Sequence, residues 1–235
     1  MNIAVVLSGG IGSRVGHDIP KQYIRVRHQM MITYCLRTLC DHPMIDAIQI
    51  VADELWQREI IHDLSVNGIE HNKILGFSKP GQNRQLSICN SLIDIRKHTI
   101  ESNAVVMIHD AARPYLKTEQ ITDCLKALEG HDGVMPVLPM KDTIYYSEDG
   151  KKISKLLERS RIYAGQAPVV FRLERYLKAN TKLSREELLC INGSSEPAMM
   201  SDLDIVMIPG DEKNIKITTK QDLEQFIEFH TKNHI

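Results

Sequence analysis

The chain has 235 residues, enough for one large α/β domain or two small ones with a substantial buried core, and one domain over residues 1–235 is expected. Its 29 Lys and Arg stand against 30 Asp and Glu, a formal charge of -1, so bulk charge offers no grip on nucleic acid or an anionic membrane and any phosphate binding must be local. Five dispersed cysteines without a C-x-x-C pair, no basic leader and no run of about 18 apolar residues lead us to expect a soluble, cytoplasmic protein with reduced thiols.

The first element, a strand over residues 3–7, runs into Ser8-Gly9-Gly10-Ile11-Gly12-Ser13-Arg14-Val15-Gly16 and then Pro20-Lys21-Gln22. Glycines let a backbone approach an anion closely, while Arg14 and Lys21 supply charge as separate tines. That layout suits a nucleoside triphosphate attacked at its α-phosphorus. A dinucleotide fingerprint is excluded, because Val15 stands where the third glycine of G-x-G-x-x-G belongs, and no G-x-x-x-x-G-K-[ST] occurs anywhere. A glycine-rich turn that only reverses the chain is the alternative.

Apolar runs over residues 47–51, 104–108, 133–137 and 205–208 continue the strand pattern. Helix-length segments over residues 32–39, 55–66, 85–96 and 119–128 alternate with them, carrying apolar side chains at three- and four-residue spacing. The rhythm predicts βαβ units and a mainly parallel sheet, whose functional residues belong directly after the strands. After residues 104–108 comes His109-Asp110-Ala111-Ala112-Arg113-Pro114. Asp110 could hold a divalent cation or a ribose hydroxyl and Arg113 a substrate phosphate, with a mutual ion pair as the alternative. His109 reads as a structural hydrogen-bonding residue. Gly81-Gln82-Asn83-Arg84-Gln85-Leu86-Ser87 opens a helix whose free N–H groups and Ser87 could read a base or a phosphate, although an ordinary helix start explains them too.

One segment breaks the rhythm. Residues 142–146 and 152–157 are strand-prone and flank a polar turn ending in Asp149-Gly150, which predicts a β-hairpin arm over about residues 139–160. Such an arm either dimerises or packs back on its own subunit. Near the end, Lys216 alternates with Ile215 and Ile217 in a strand-like run and so points to the face opposite to them, while Thr219 and Asp222 form a capping-box pattern for the last helix.

Taken together, the Gly-Gly-x-Gly-x-Arg loop with Pro20-Lys21-Gln22, the His109 to Pro114 run, Gln166-Ala167-Pro168 followed by Phe171, and Asn214-Ile215-Lys216-Ile217-Thr218 resemble the 2-C-methyl-D-erythritol 4-phosphate cytidylyltransferase family, which includes the ribitol-5-phosphate cytidylyltransferases. The resemblance spans almost the whole chain. It implies a Rossmann-like, doubly wound, mainly parallel α/β sheet with a projecting hairpin arm. It also implies transfer of CMP from CTP to a polyol phosphate, with Mg²⁺ on the triphosphate and a homodimer joined through the arm. In the same resemblance Arg14, Lys21 and Lys216 are catalytic, steadying the triphosphate. Ser8, Gly9, Gly10, Gly12, Gly81, Gln82, Ser87 and Asp110 bind CTP, with Asp110 also beside the metal. Arg113, Thr143, Arg159 and Lys216 hold the polyol phosphate, Thr143 and Arg159 arriving from the partner subunit.

The chain departs from the family in two places. Gln166-Ala167-Pro168-Val169 replaces the usual Gln-Thr-Pro-Gln, and the usual Thr-Asp pair is replaced near Asn192-Gly193-Ser194-Ser195. Ser8-Gly9-Gly10 and Gly165-Gln166 lean toward the ribitol branch for surface polysaccharide, with methylerythritol phosphate for isoprenoid synthesis as the alternative acceptor. A non-catalytic nucleotide binder and a sugar-1-phosphate nucleotidyltransferase using UTP or GTP are the competing classes. The first leaves three separate phosphate cations unexplained, and the second leaves the His109 to Pro114 strand end unexplained.

Overall fold

The computed structural model describes residues 1–10, 19–99 and 101–232. Its centre is strand β1 (Asn2–Leu7), whose residues 3–6 are fully buried. The short strands β2 (Arg25–Val26) and β3 (Gln29–Met30) pair with each other ahead of helix α1 (Met31–Asp41). Next come β4 (Ala47–Val51), α2 (Glu54–Val66), β5 (Ile74–Ser78), α3 (Arg84–His98), β6 (Val105–Asp110) and α4 (Thr118–Ala127). The remainder comprises β7 (Gly133–Pro139), β8 (Tyr145–Tyr146), β9 (Lys155–Leu156), β10 (Tyr163–Gly165), β11 (Val169–Arg172), α5 (Leu173–Thr181), α6 (Arg185–Cys190), α7 (Glu196–Met200), β12 (Ile205–Pro209) and α8 (Lys220–Lys232).

The main sheet has eight strands. β1 pairs in parallel with β4 on one side and with β6 on the other, and β5 continues the sheet beyond β4. The chain thus builds outward from β1 through β4 and β5, then crosses back through α3 to β6. Strand order reverses between β1 and β6, the point at which open α/β sheets form a crevice. β12 extends β7 in parallel, as the sequence predicts.

The sequence pattern does not anticipate β11, which runs antiparallel between β6 and β7, or β10, which pairs antiparallel along β7 just upstream of it. Between these two strands the Ala167–Pro168 peptide is cis. β5 also escapes the periodicity, because Gly76 interrupts its apolar run and its first four residues are only partly buried. Residues 215–217 are another difference. They form no strand; they lie in an irregular stretch attached to the turn after β6 by the Ile217 N–H donating to Ala112 O at 2.8 Å.

Two apolar layers sandwich the sheet. On one side Leu36, Leu39, Ile60, Leu64 and Ile121 from α1, α2 and α4 cover Ile48 and Ile50 of β4. On the other, Ile88 and Leu92 of α3 and Tyr176 of α5 pack on Val106, Ile108 and Phe171, with the Phe171 and Tyr176 rings stacked 4.0 Å apart. A smaller cluster joins Ile24, Val26 and Met31 to Ile217, Leu223 and Phe226, so the segments bearing Lys21 and Lys216 are anchored against the same core. Full burial of Ile217 is worth about 1.5–3 kcal/mol.

The expected arm is present as β8 and β9, paired antiparallel, with Asp149 Oδ1 accepting from the Lys151 and Lys152 N–H groups at the turn. The capping box of α8 also forms: Thr219 Oγ1 accepts from Asp222 N at 3.1 Å and Asp222 Oδ2 from Thr219 N at 2.8 Å. Among the described residues no helix is long and apolar enough to cross a membrane. Cys35, Cys40, Cys89 and Cys124 are buried thiols, whereas Cys190 is exposed.

Asp63 of α2 is fully buried and accepts from Arg25 Nη1 at 2.5 Å, Met30 N at 2.9 Å and Thr33 Oγ1 at 2.5 Å, tying the β2–β3 turn to the helices beneath it. Asp63→Ala leaves the Met30 N–H and the Thr33 hydroxyl without partners, and we expect a loss of about 2–4 kcal/mol in urea unfolding. An unchanged midpoint would show that the carboxylate is dispensable.

Candidate functional site

A cavity of about 480 Å³ opens at the carboxyl ends of β1 and β6, lined in part by Gly9, Gly10, Lys21, Arg84, Asp110 and Lys216. Sequence-expected Gly81, Gln82 and Ser87 line it as well, where α3 begins. Eight of the expected residues thus converge on one crevice, from five separate stretches of chain. Gly12 and Arg14 lie outside the described residues.

Close packing explains two of the glycines. A Cβ on Gly9 would lie 2.5 Å from Pro80 Cβ, and one on Gly81 would lie 2.4 Å from Leu86 Cβ and 2.6 Å from its carbonyl carbon. The Gly9 contact brings the loop after β1 against the segment that leads into α3, and the Gly81 contacts fold that segment closely onto the first turn of α3. Gly81 N donates to Ser87 Oγ at 2.9 Å, and Asn83 caps α3 by accepting from Leu86 N.

Asp110 is the electrostatic centre. Arg84 Nε lies 3.0 Å from its Oδ1, Lys216 Nζ lies 2.9 Å from its Oδ2, and Arg113 Nε stands 3.8 Å from Oδ2. Burial alone would raise the carboxyl pKa, but the Arg84 and Lys216 charges outweigh it and hold the group well below the ordinary carboxylate range. Lys21, Arg84 and Lys216 against Asp110 leave the described lining net positive, as a polyanion requires.

Several expected residues sit elsewhere. Ser8 is buried behind the lining, its Oγ donating to Val51 O at 2.6 Å and its carbonyl accepting from Tyr23 Oη. Arg113 is likewise absent from the lining: its Nη1 donates to Asn214 O at 2.6 Å, which tethers the stretch carrying Lys216. The anticipated Asp110–Arg113 pairing is the longest of the carboxylate's three. Thr143 and Arg159 are exposed on the arm and do not line the cavity, and Arg159 Nη1 donates to Lys141 O. The Gln166-Ala167 pair supports the site from behind, since Gln166 bonds both backbone groups of Asp211 and Ala167 O accepts from Asn214 Nδ2. Ser194, in the other altered stretch, bonds Tyr176 and lies off the lining.

Arg84 and Gln22 also line the cavity, beyond the residues that the sequence motifs assign to substrate. Arg84 did leave a signal. A cation at the first position of a helix opposes the helix dipole, so it needs a carboxylate partner or an anionic ligand. As for a metal, no cluster of three or more His, Cys, Asp or Glu occurs among the described residues, and Asp110 is the only carboxylate in the described lining. Asp110, whose two oxygens face Arg84 and Lys216, is thus the described lining's one candidate to hold a divalent cation.

This arrangement, a Rossmann-like sheet with a cation-lined crevice at its switch point, is that of a nucleotide-handling α/β enzyme. Residues 2–230 match the model of the 2-C-methyl-D-erythritol 4-phosphate cytidylyltransferase family, IspD. The chain belongs to that family and is a cytidylyltransferase, of the nucleotidyltransferase class. It is 32% identical to a 2-C-methyl-D-erythritol 4-phosphate cytidylyltransferase of Rubrobacter xylanophilus over 94% of this chain and 91% of that one. It is 28% identical to a ribitol-5-phosphate cytidylyltransferase of Lacticaseibacillus paracasei over 96% of both. The fold is shared with the Francisella tularensis 2-C-methyl-D-erythritol 4-phosphate cytidylyltransferase, with a TM-score of 0.79 at 24% identity over 97% and 99% of the two chains.

His109 has the structural role expected of it. It is fully buried, its Nε2 lies 3.0 Å from Arg113 O, and burial pulls its pKa from 6.5 to about 4. The fold therefore favours the neutral ring: this contribution is complete above pH 6.5 and is lost as pH falls toward 4. His109→Gln, which keeps a donor for the carbonyl, should remove a decline in unfolding free energy on the order of 3 kcal/mol across that window. Parallel pH profiles for the two proteins would contradict this.

Proposed function

We propose that this cytidylyltransferase joins CMP to a polyol phosphate, forming a CDP-polyol and releasing pyrophosphate. The observation that carries the reading is the convergence of Lys21, Arg84 and Lys216 on a crevice with one carboxylate at the ends of β1 and β6. An oxygen of the acceptor phosphate attacks the α-phosphorus of CTP; that P–O bond forms while the bond to the β-phosphate oxygen breaks. The attacking oxygen is already anionic at neutral pH, so no side-chain nucleophile is needed and the protein acts by positioning and charge stabilisation. Arg14, Lys21 and Lys216 steady the triphosphate and its developing charge. Gly9, Gly10, Gly81, Gln82 and Ser87 surround cytosine and ribose, and Asp110 holds the ribose side. Mg²⁺ on the triphosphate would neutralise charge and polarise the phosphoryl oxygens, with Asp110 as its protein ligand.

For the acceptor, Ser8-Gly9-Gly10 and Gly165-Gln166 favour ribitol 5-phosphate or a related linear polyol phosphate. Methylerythritol phosphate is the second reading, favoured by the 32% identity to the Rubrobacter enzyme against 28% to the ribitol enzyme. Pyrophosphate release with CTP across a panel of polyol phosphates decides between them. We expect kcat/KM at least about tenfold higher with ribitol 5-phosphate. A preference for methylerythritol phosphate would select the second reading, and no release with any acceptor by CTP-binding protein would overturn the transfer.

We further propose a homodimer in which the arm carries Thr143 and Arg159 to the partner's acceptor site. Exposed Tyr145, Tyr146, Ile153 and Leu156 give the arm an apolar surface that a second subunit would cover. Arg159→Ala and Lys21→Ala proteins, each nearly inactive, should recover about a quarter of wild-type activity when re-dimerised together, because half of the molecules are mixed and each mixed dimer has one intact site. Mixed dimers without activity would place both residues in one subunit's site.

A further inference from the structure

Gln22 is 4% exposed and lies where the loop after β1 meets the residues that follow it. Its side-chain amide contacts two carbonyls of that loop, Ser8 O at 2.5 Å and Gly10 O at 2.7 Å. Both partners can only accept, so the atom facing them is Nε2, and its two hydrogens are fully used. The neighbouring Tyr23 adds a bond from its hydroxyl to Ser8 O at 2.9 Å, and its ring is fixed by stacking on Trp56 at 4.3 Å.

A carbonyl oxygen carries negative partial charge, and a loop that cradles an anion must turn its carbonyls away and its N–H groups toward the ligand. The C=O and N–H of one trans peptide point in opposite directions. Holding Ser8 O against Gln22 therefore turns the Gly9 N–H the other way, and Gly9 and Gly10 both line the cavity. Glycine flexibility by itself would leave these peptides free to flip.

We propose that Gln22 is a positioning residue for CTP: it fixes the polarity of the glycine loop by removing two carbonyl dipoles from the space that the β- and γ-phosphates fill. The inference rests on the cytidylyltransferase reading. It adds that the glutamine beside Lys21, although in the cavity lining, acts through the loop backbone, since both hydrogens of its amide go to loop carbonyls. Gln22→Glu keeps the shape but offers no donor and repels both carbonyls; Gln22→Met keeps the bulk without charge.

Calorimetric titration of CTP and CMP into the unaltered protein and both variants tests the proposal, with thermal melts alongside. Loss of two neutral hydrogen bonds should weaken CTP binding about 10- to 100-fold. CMP, which lacks the two outer phosphates, should bind within about threefold of the unaltered protein, and steady-state KM for CTP should rise more than kcat falls. Equal weakening of CTP and CMP, or unchanged CTP affinity in a folded variant, would overturn the proposal. If the glutamate variant does not fold, the methionine variant decides it. Failure of the unaltered protein to bind CTP would instead overturn the functional reading on which the inference stands.

Discussion

A buried carboxylate with two close cations organises this molecule. Asp110 ends β6 and receives Arg84 from the first turn of α3 and Lys216 from the stretch before α8, so three distant parts of the chain meet at one charge. Burying any one of these charges alone would be expensive, and their mutual proximity offsets the desolvation. The same cluster defines what the cavity can accept. With Lys21 in the same lining, the described site holds more positive than negative charge, which suits a polyanion.

Much of the remaining sequence serves to bring Lys216 to that point. Arg113 grips the Asn214 carbonyl, Asn214 donates to Ala167 O, Gln166 clasps Asp211, and Ile217 is buried beside Phe226. A segment without regular hydrogen bonding of its own is thereby held from several sides. Residues that a motif reading assigns to substrate, Arg113 above all, are here engaged in holding another residue in place. Beside Lys21, Gln22 and Tyr23 hold the loop after β1, while Asp63 and Trp56 brace the segment around them from α2.

The parallel half of the sheet was legible because its strands are buried on both faces and read as continuous apolar runs, with amphipathic helices between them. β11 was not, because Val169-Val170-Phe171-Arg172 is short and its antiparallel direction follows from a reversal outside itself. β5 was hidden by Gly76, and the stretch around Lys216 alternates like a strand yet has no strand partner. Within the site, the glycines, Lys21 and Asp110 could be found from residue type and position after a strand. Arg84 needed the further step of asking why a cation stands where the helix dipole repels it.

The sequence by itself determined the chemistry on offer: a glycine loop without a dinucleotide or P-loop fingerprint, cations at separate tines and a carboxylate at a strand end. These depend on residue identity and local spacing, which a linear chain displays directly. Only the tertiary structure decided which of those groups share a cavity. Asp110 and Lys216 are far apart in sequence yet 2.9 Å apart in space, Arg113 faces a backbone carbonyl and not the lining, and Ser8 is buried behind the loop it begins. Those outcomes depend on sheet order, on the crossing of α3 and on the packing of Ile217, long-range arrangements that no local pattern encodes.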